Sequence, residues 1–176
     1  PSPLDIPHIK GVDEDGNELT GEEANGAHAH WKVKVNVGDK IKYANVGTTN
    51  GSAYNGRAVA LEDYLTPYIL KYTQYVGCAN VSQILDTFVG DADYYEATKE
   101  QPKVDGKPVK ITVSEFLKNF PGITLNKADN SLTFHLTKPI TSDFAAYRLN
   151  ESGFMPLEFI QDTLGEGDVV LGMTRY

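Results

Sequence analysis

Trp31-Lys32-Val33-Lys34-Val35-Asn36-Val37 alternates apolar and polar residues with a period of two. Successive side chains of an extended chain point to opposite faces, so this pattern predicts a half-buried strand with Trp31, Val33, Val35 and Val37 on its inner side. Gly38-Asp39 ends it, and Ile41 to Tyr43 reads as a second short strand before a loop rich in Gly, Asn, Ser and Thr that runs from Asn45 to Gly56. On the other side, Asp15-Gly16-Asn17 signals a reversal, because these residue types accept the backbone angles of a tight turn. The same alternation returns late in the chain. Ile123 and Leu125 form one arm of a hairpin, Asn126 to Ser131 its turn, and Leu132, Phe134 and Leu136 the other arm, with Pro139 expected to stop it.

Between these extended segments the period changes. Leu61, Tyr64, Leu65, Tyr68, Ile69 and Tyr72 recur at three-and-four spacing, which predicts a helix with one apolar face and with Glu62 and Asp63 near its positive end. Pro67 interrupts that pattern unless the true start of the helix lies close to it. Asn80 is placed to cap a second helix carrying Val81, Ile84, Leu85, Phe88 and Val89 and ending at Gly90. Thr112-Val113-Ser114-Glu115 is a capping box for a third, burying Phe116, Leu117 and Phe120. Ser142 or Asp143 caps a short helix carrying Phe144 and Tyr147, and Pro156 opens a last helix ending at Gly165. Strands, then helices, then a hairpin, then helices make an α+β pattern: a small, mostly antiparallel sheet with helices packed on it. Residues 1–176 read as a single domain.

Composition supports a folded chain and excludes several classes. At 176 residues, 40% of them hydrophobic, folding hides roughly 70% of the extended chain's surface, enough for a core without disulfides or a structural metal. No run of about 18 apolar residues is present to span a membrane. Sixteen Lys and Arg against 24 Asp and Glu give a net charge of −8 with no basic cluster, which argues against nucleic acid as a partner. One cysteine, Cys78, excludes an internal disulfide and Cys-rich zinc sites. The opening Pro-Ser-Pro-Leu-Asp has neither the basic nor the apolar region of a signal peptide, as expected for a piece of a longer protein.

Few residues are arranged for chemistry. His28-Ala29-His30 puts two imidazoles on one side of a strand, a spacing metal sites use, but no third His or Cys has ligand-like spacing. Asp13, Asp15 and Asn17 imitate the start of a calcium loop, which then fails at Glu18 and Ala24, where Gly and a bidentate carboxylate are needed; a polar hairpin turn is the better reading. Asp91, Asp93 and Glu96 beside Tyr94 and Tyr95 could serve a carboxylate-dependent hydrolase, yet without a spatial partner they read as a solvated helix start. No Gly-x-Ser-x-Gly elbow, phosphate loop or dinucleotide fingerprint occurs, and Cys78 has no basic neighbour in sequence. Tyr64, Tyr68, Tyr72 and Tyr75 could offer amphipathic rings to a ligand, although at helical spacing they read first as core with hydroxyls at the rim.

Taken in order, the Lys-Val-Lys strand, Gly56-Arg57-Ala58-Val59-Ala60-Leu61-Glu62-Asp63-Tyr64, Gly90-Asp91-Ala92-Asp93-Tyr94-Tyr95-Glu96 and Leu132-Thr133-Phe134-His135-Leu136-Thr137-Lys138-Pro139 resemble the family 5 extracellular solute-binding proteins. These are the oligopeptide, dipeptide and nickel receptors of bacterial ABC importers. Phe154-Met155-Pro156-Leu157-Glu158-Phe159-Ile160 is similar to the stretch that follows in that family. Ala58 stands where the family has Pro, and Ala60 where it has a capping Thr. The resemblance implies a subdomain of a periplasmic-binding-protein-like type II receptor, the smaller domain of the first lobe, as a fragment of a longer chain. It also implies capture of peptides or similar small solutes outside the membrane, an ABC permease as partner, and an extracellular, lipid-anchored or periplasmic setting, without enzymatic activity or cofactor. Tyr72-Thr73-Gln74-Tyr75 is similar to a tyrosine-bearing stretch facing the cleft in oligopeptide receptors, which makes Tyr72 and Tyr75 the ligand-binding candidates. An exported surface or interaction domain without a small ligand is the alternative.

Overall fold

The computed structural model describes residues 4–43, 56–76, 81–149 and 154–156, together with Glu158. The alternating stretch around Trp31 lies in β2 (Ala27–Val35), flanked in sequence by β1 (Leu4–Gly11) and β3 (Gly38–Lys42). β4 (Ala58–Val59), β5 (Lys103–Val104), β6 (Lys107–Pro108), β7 (Ile123–Asn126) and β8 (Ser131–Thr141) follow. The α-helices are α1 (Thr66–Tyr72), α2 (Asp91–Ala97), α3 (Val113–Asn119) and α4 (Ser142–Leu149).

β1, β2, β8 and β7 form one antiparallel sheet in that order, while β3 pairs with β4 and β5 with β6 as separate ribbons. Register follows from the alternation. Trp31 sits opposite Phe134, and Val33 opposite Leu132 on one side and Ile9 on the other. Ile123 and Leu125 face Phe134 and Leu132 across the hairpin. The core residues of β2, Trp31, Val33 and Val35, are all buried, with Leu132 and Phe134 beside them. Helices cover this face: Tyr68, Ile69 and Tyr72 from α1, and Phe116 from α3 with Phe120 at its end, stacked at 4.9 Å between ring centres. The fold is therefore α+β, a small antiparallel sheet with helices packed on it.

Several predicted boundaries shift, each for a local reason. Pro67 does not break a helix. Leu61–Leu65 is a 3-10 turn, and α1 begins at Thr66 with Pro67 in its first turn, where the missing N–H has no helical acceptor to lose. The helix expected from Asn80 to Val89 is replaced by a single 3-10 turn, Val81–Gln83, followed by turns. Gly90 is no stop signal; it precedes α2 at φ 75°, and a side chain there would come within 2.5 Å of Pro121. Pro139 does not end β8, because it lies where the register with β2 slips between the pairs His30–His135 and His28–Ile140. Phe144 and Tyr147 are exposed on α4, which packs on the sheet through Ala145 and Leu149 instead. Thr112 caps α3 as expected, accepting the Glu115 N–H at 3.2 Å. The loop from Asn45, Cys78, the Asn80 cap and the helix from Pro156 to Gly165 lie outside the described residues, apart from Gly56, Pro156 and Glu158.

At the β3–β4 end, a carboxylate organises the chain. Asp63 is 0% exposed. Its Oδ2 accepts Arg57 Nη1 at 2.6 Å, the Tyr43 hydroxyl at 2.9 Å and the Ala60 N–H at 2.9 Å, and its Oδ1 accepts Arg57 Nη2 at 3.1 Å. Ala60 has no side-chain acceptor to cap the turn, yet the other half of the box survives, since Asp63 reaches back to its N–H. Arg57 also binds Glu158, through Nε at 2.7 Å and Nη2 at 2.7 Å. The pairing with Asp63 and Glu158 raises the guanidinium pKa, and burial, with Asp63 alongside, raises that of the Tyr43 phenol. Arg57→Ala would strip a buried carboxylate of its guanidinium partner. It should cost about 3 kcal/mol, toward the low side for a broken buried pair because the Arg57 side chain is 28% exposed. Urea unfolding measures this; a loss below about 0.5 kcal/mol would make the pair an ordinary surface bridge.

Candidate functional site

The two tyrosines singled out by sequence do not share a site. Tyr72, on the inner face of α1, is 2% exposed, its ring against Phe88 and Phe120 and its hydroxyl donating to the Ile84 carbonyl at 3.2 Å. Tyr75 lies past the helix end, in the 3-10 turn Gln74–Val76, and is half-buried. Its ring borders a groove of about 610 Å³ on the α2–α3 side, edged by Asp93, Glu100, Lys110 and Glu115. Burial raises both phenol pKa values. The other helix tyrosines are structural: Tyr64 donates to the Asn36 carbonyl at 2.6 Å, and Tyr68 packs between Phe88 and Phe134. Tyr75 reaches the open groove beside α2 and α3; Tyr72 belongs to the core and borders a different, smaller cavity between α1 and α4.

The acidic group splits in the same way. Asp91 is not solvated but 1% exposed, and its two oxygens accept the N–H groups of Asp86, Thr87 and Phe88 at 2.8 to 2.9 Å. It closes the turn before its own helix. Asp93 and Glu96 are exposed, Glu96 paired with Lys99. A general acid working near neutral pH needs a desolvated carboxyl with free hydrogen-bonding capacity. Asp91 is desolvated but fully engaged, while Asp93, Glu100 and Glu115 around the groove all face water.

The histidine pair is rearranged. A register slip between His28 and His30 sends the rings to different neighbours: His28 meets Trp31 edge-on at 5.8 Å, and His30 meets His135. His30 Nδ1 and His135 Nδ1 are 2.8 Å apart, and His135 Nε2 is 2.9 Å from the Thr124 hydroxyl. This partner, on a strand far along the chain, carries no sequence signal; only the β2–β8 register reveals it. Among the described residues no group of three or more His, Cys, Asp or Glu is placed to hold a metal. The Asp13 loop is a polar turn, as the sequence indicates: Asp13 Oδ1 accepts the N–H groups of Asn17 at 2.9 Å and Asp15 at 3.0 Å. These bonds, the Asn17 one foremost, lower its carboxyl pKa.

Two outcomes follow from this geometry. Asp91→Ala strips three N–H groups of their acceptor and should cost at least about 2 kcal/mol, whereas Asp93→Ala and Glu96→Ala should stay within about 0.5; equal effects in a denaturant series would contradict the buried role. Burial, helped by the adjacent His30 ring, lowers the pKa of His135 below the usual imidazole value. The unfolded chain then binds more protons than the folded one just below pH 6.5, so this contribution is complete above that value and declines as the pH falls. NMR titration of the ring protons should place the His135 midpoint under the ordinary histidine value, and a midpoint above it would contradict the assignment. No family model, curated protein or solved structure matches the chain.

Proposed function

We propose that the chain is part of the extracellular receptor of a peptide-type ABC importer, capturing peptides or similar small solutes outside the membrane for delivery to a permease. The reading rests on the family 5 resemblance. One observation supports treating its stations as a unit: the Lys-Val-Lys strand and the Leu132–Pro139 strand, far apart in sequence, are paired neighbours with Trp31 opposite Phe134. The Arg57–Asp63 station is likewise one folded device, its arginine and aspartate closing on each other. Among the described residues no helix is long and apolar enough to cross a membrane.

On this reading the chain supplies a scaffold beside one wall of the ligand cleft, most ligand contacts lie in other parts of the receptor, and no catalytic role or cofactor is assigned to it. Tyr75, at its open groove, is the candidate left to meet a ligand. The native reading frame should encode a second lobe beyond Tyr176. Calorimetric titration with a mixed peptide library should show saturable binding by the full native product and little by the isolated chain. A frame lacking a second lobe, or peptide binding by the isolated chain as tight as by the whole product, would contradict the proposal.

A further inference from the structure

A second cavity, of about 240 Å³, lies between α1, the turn Ile84–Phe88, the end of β8 and α4, and shares no lining residue with the Tyr75 groove. Its wall is apolar, built from Tyr68, Tyr72, Phe88, Leu136, Ile140 and Leu149. Its border is cationic. Lys71, Lys138 and Arg148 edge it, and among the described lining residues Asp86 is the one carboxylate. Three of the 16 basic side chains of a chain with net charge −8 therefore gather around one small apolar hollow. The Arg148 guanidinium lies over the exposed Phe144 ring at 6.0 Å, a contact that favours holding it at the mouth.

We propose that this cavity binds a small arylalkyl monocarboxylate, its ring inserted among the aromatic walls and its carboxylate at the cationic rim. The volume lies below the roughly 300 Å³ at which drug-sized sites begin, so the occupant is one ring with a short chain. Edges and faces of Tyr68, Tyr72 and Phe88 favour a ring over a branched aliphatic body. Lys138 and Arg148 at the rim, against Asp86 among the described lining residues, favour an anion over a neutral or cationic ligand. An arginine offers the planar fork that fits a carboxylate in two hydrogen bonds. The inference rests on this cavity alone and stands apart from the receptor reading.

The test is an amide NMR titration of the chain with 3-phenylpropanoate and with its neutral alcohol, 3-phenylpropan-1-ol. The acid should give saturable shifts at Thr87, Phe88, Thr137, Lys138 and Leu149, with a Kd of about 1 mM or tighter. The alcohol should bind at least tenfold more weakly. Lys138→Gln combined with Arg148→Gln, both exposed positions, should weaken the acid about tenfold and leave the alcohol unchanged, circular dichroism confirming the fold. Added salt should weaken the acid alone. Equal affinity for acid and alcohol, unchanged acid binding in the double variant, shifts centred elsewhere, or no saturation would each overturn the proposal.

Discussion

The carboxylate of Asp63 sits out of reach of water with the guanidinium of Arg57 closed on it, and that pairing governs one whole end of the molecule. An unpaired charge in such a place is costly, so burying Asp63 obliges the chain to bring it donors. Those donors come from three separate pieces: Tyr43 after β3, Arg57 before β4, and the Ala60 N–H at the start of the 3-10 turn. The Asp63 carbonyl then receives the Met155 N–H at 3.2 Å, and Arg57 takes Glu158, so these two residues beyond α4 are held at the same point. Asp91 repeats the device near the start of α2, folding back to satisfy three N–H groups of an irregular turn. Both aspartates do work that regular helices and strands do not do there.

Much of the architecture was legible from period alone. The alternation in Trp31–Val35 and Leu132–Leu136 identifies strands whose inward residues are buried, and the three-and-four spacing from Leu61 to Tyr72 identifies residues that are all buried. What failed was local punctuation under tertiary control. Glycine at 90 reads as a stop, but it is required where the chain passes close to Pro121 before α2. Proline at 139 reads as a strand end, but a register slip accommodates it. Asp63 reads as a charge near a helix's positive end and Asp91 as part of a solvated helix start, because nothing in a linear sequence tells a hydrated carboxylate from one enclosed by its own backbone. The Thr112 cap, by contrast, uses neighbours three residues apart and was readable at once.

The same division holds for the sites. Tyr72 and Tyr75 are close in sequence but differ in position: one ends the inward face of α1 and the other follows the helix, so packing claims the first and leaves the second at an open groove. The pair His30–His135 and the cation-edged hollow beside α4 join residues from distant segments, which periodicity cannot bring together. As a scaffold the molecule is well determined. The proposed receptor reading asks it only to hold the Tyr75 groove in place beside a cleft most of whose ligand contacts lie elsewhere.

Native-state hydrogen exchange tests most directly whether the Asp63 knot is integral to the fold. The Ala60 and Met155 N–H groups both bond to Asp63, one to its carboxylate and one to its carbonyl. They should exchange only through global unfolding, with opening free energies equal to those of the sheet amides Val35 and His135, which bond to Asn130 and Gly122. Opening of Ala60 and Met155 at free energies several kcal/mol below the sheet would contradict the account, by showing that this end of the chain detaches while the core stays folded.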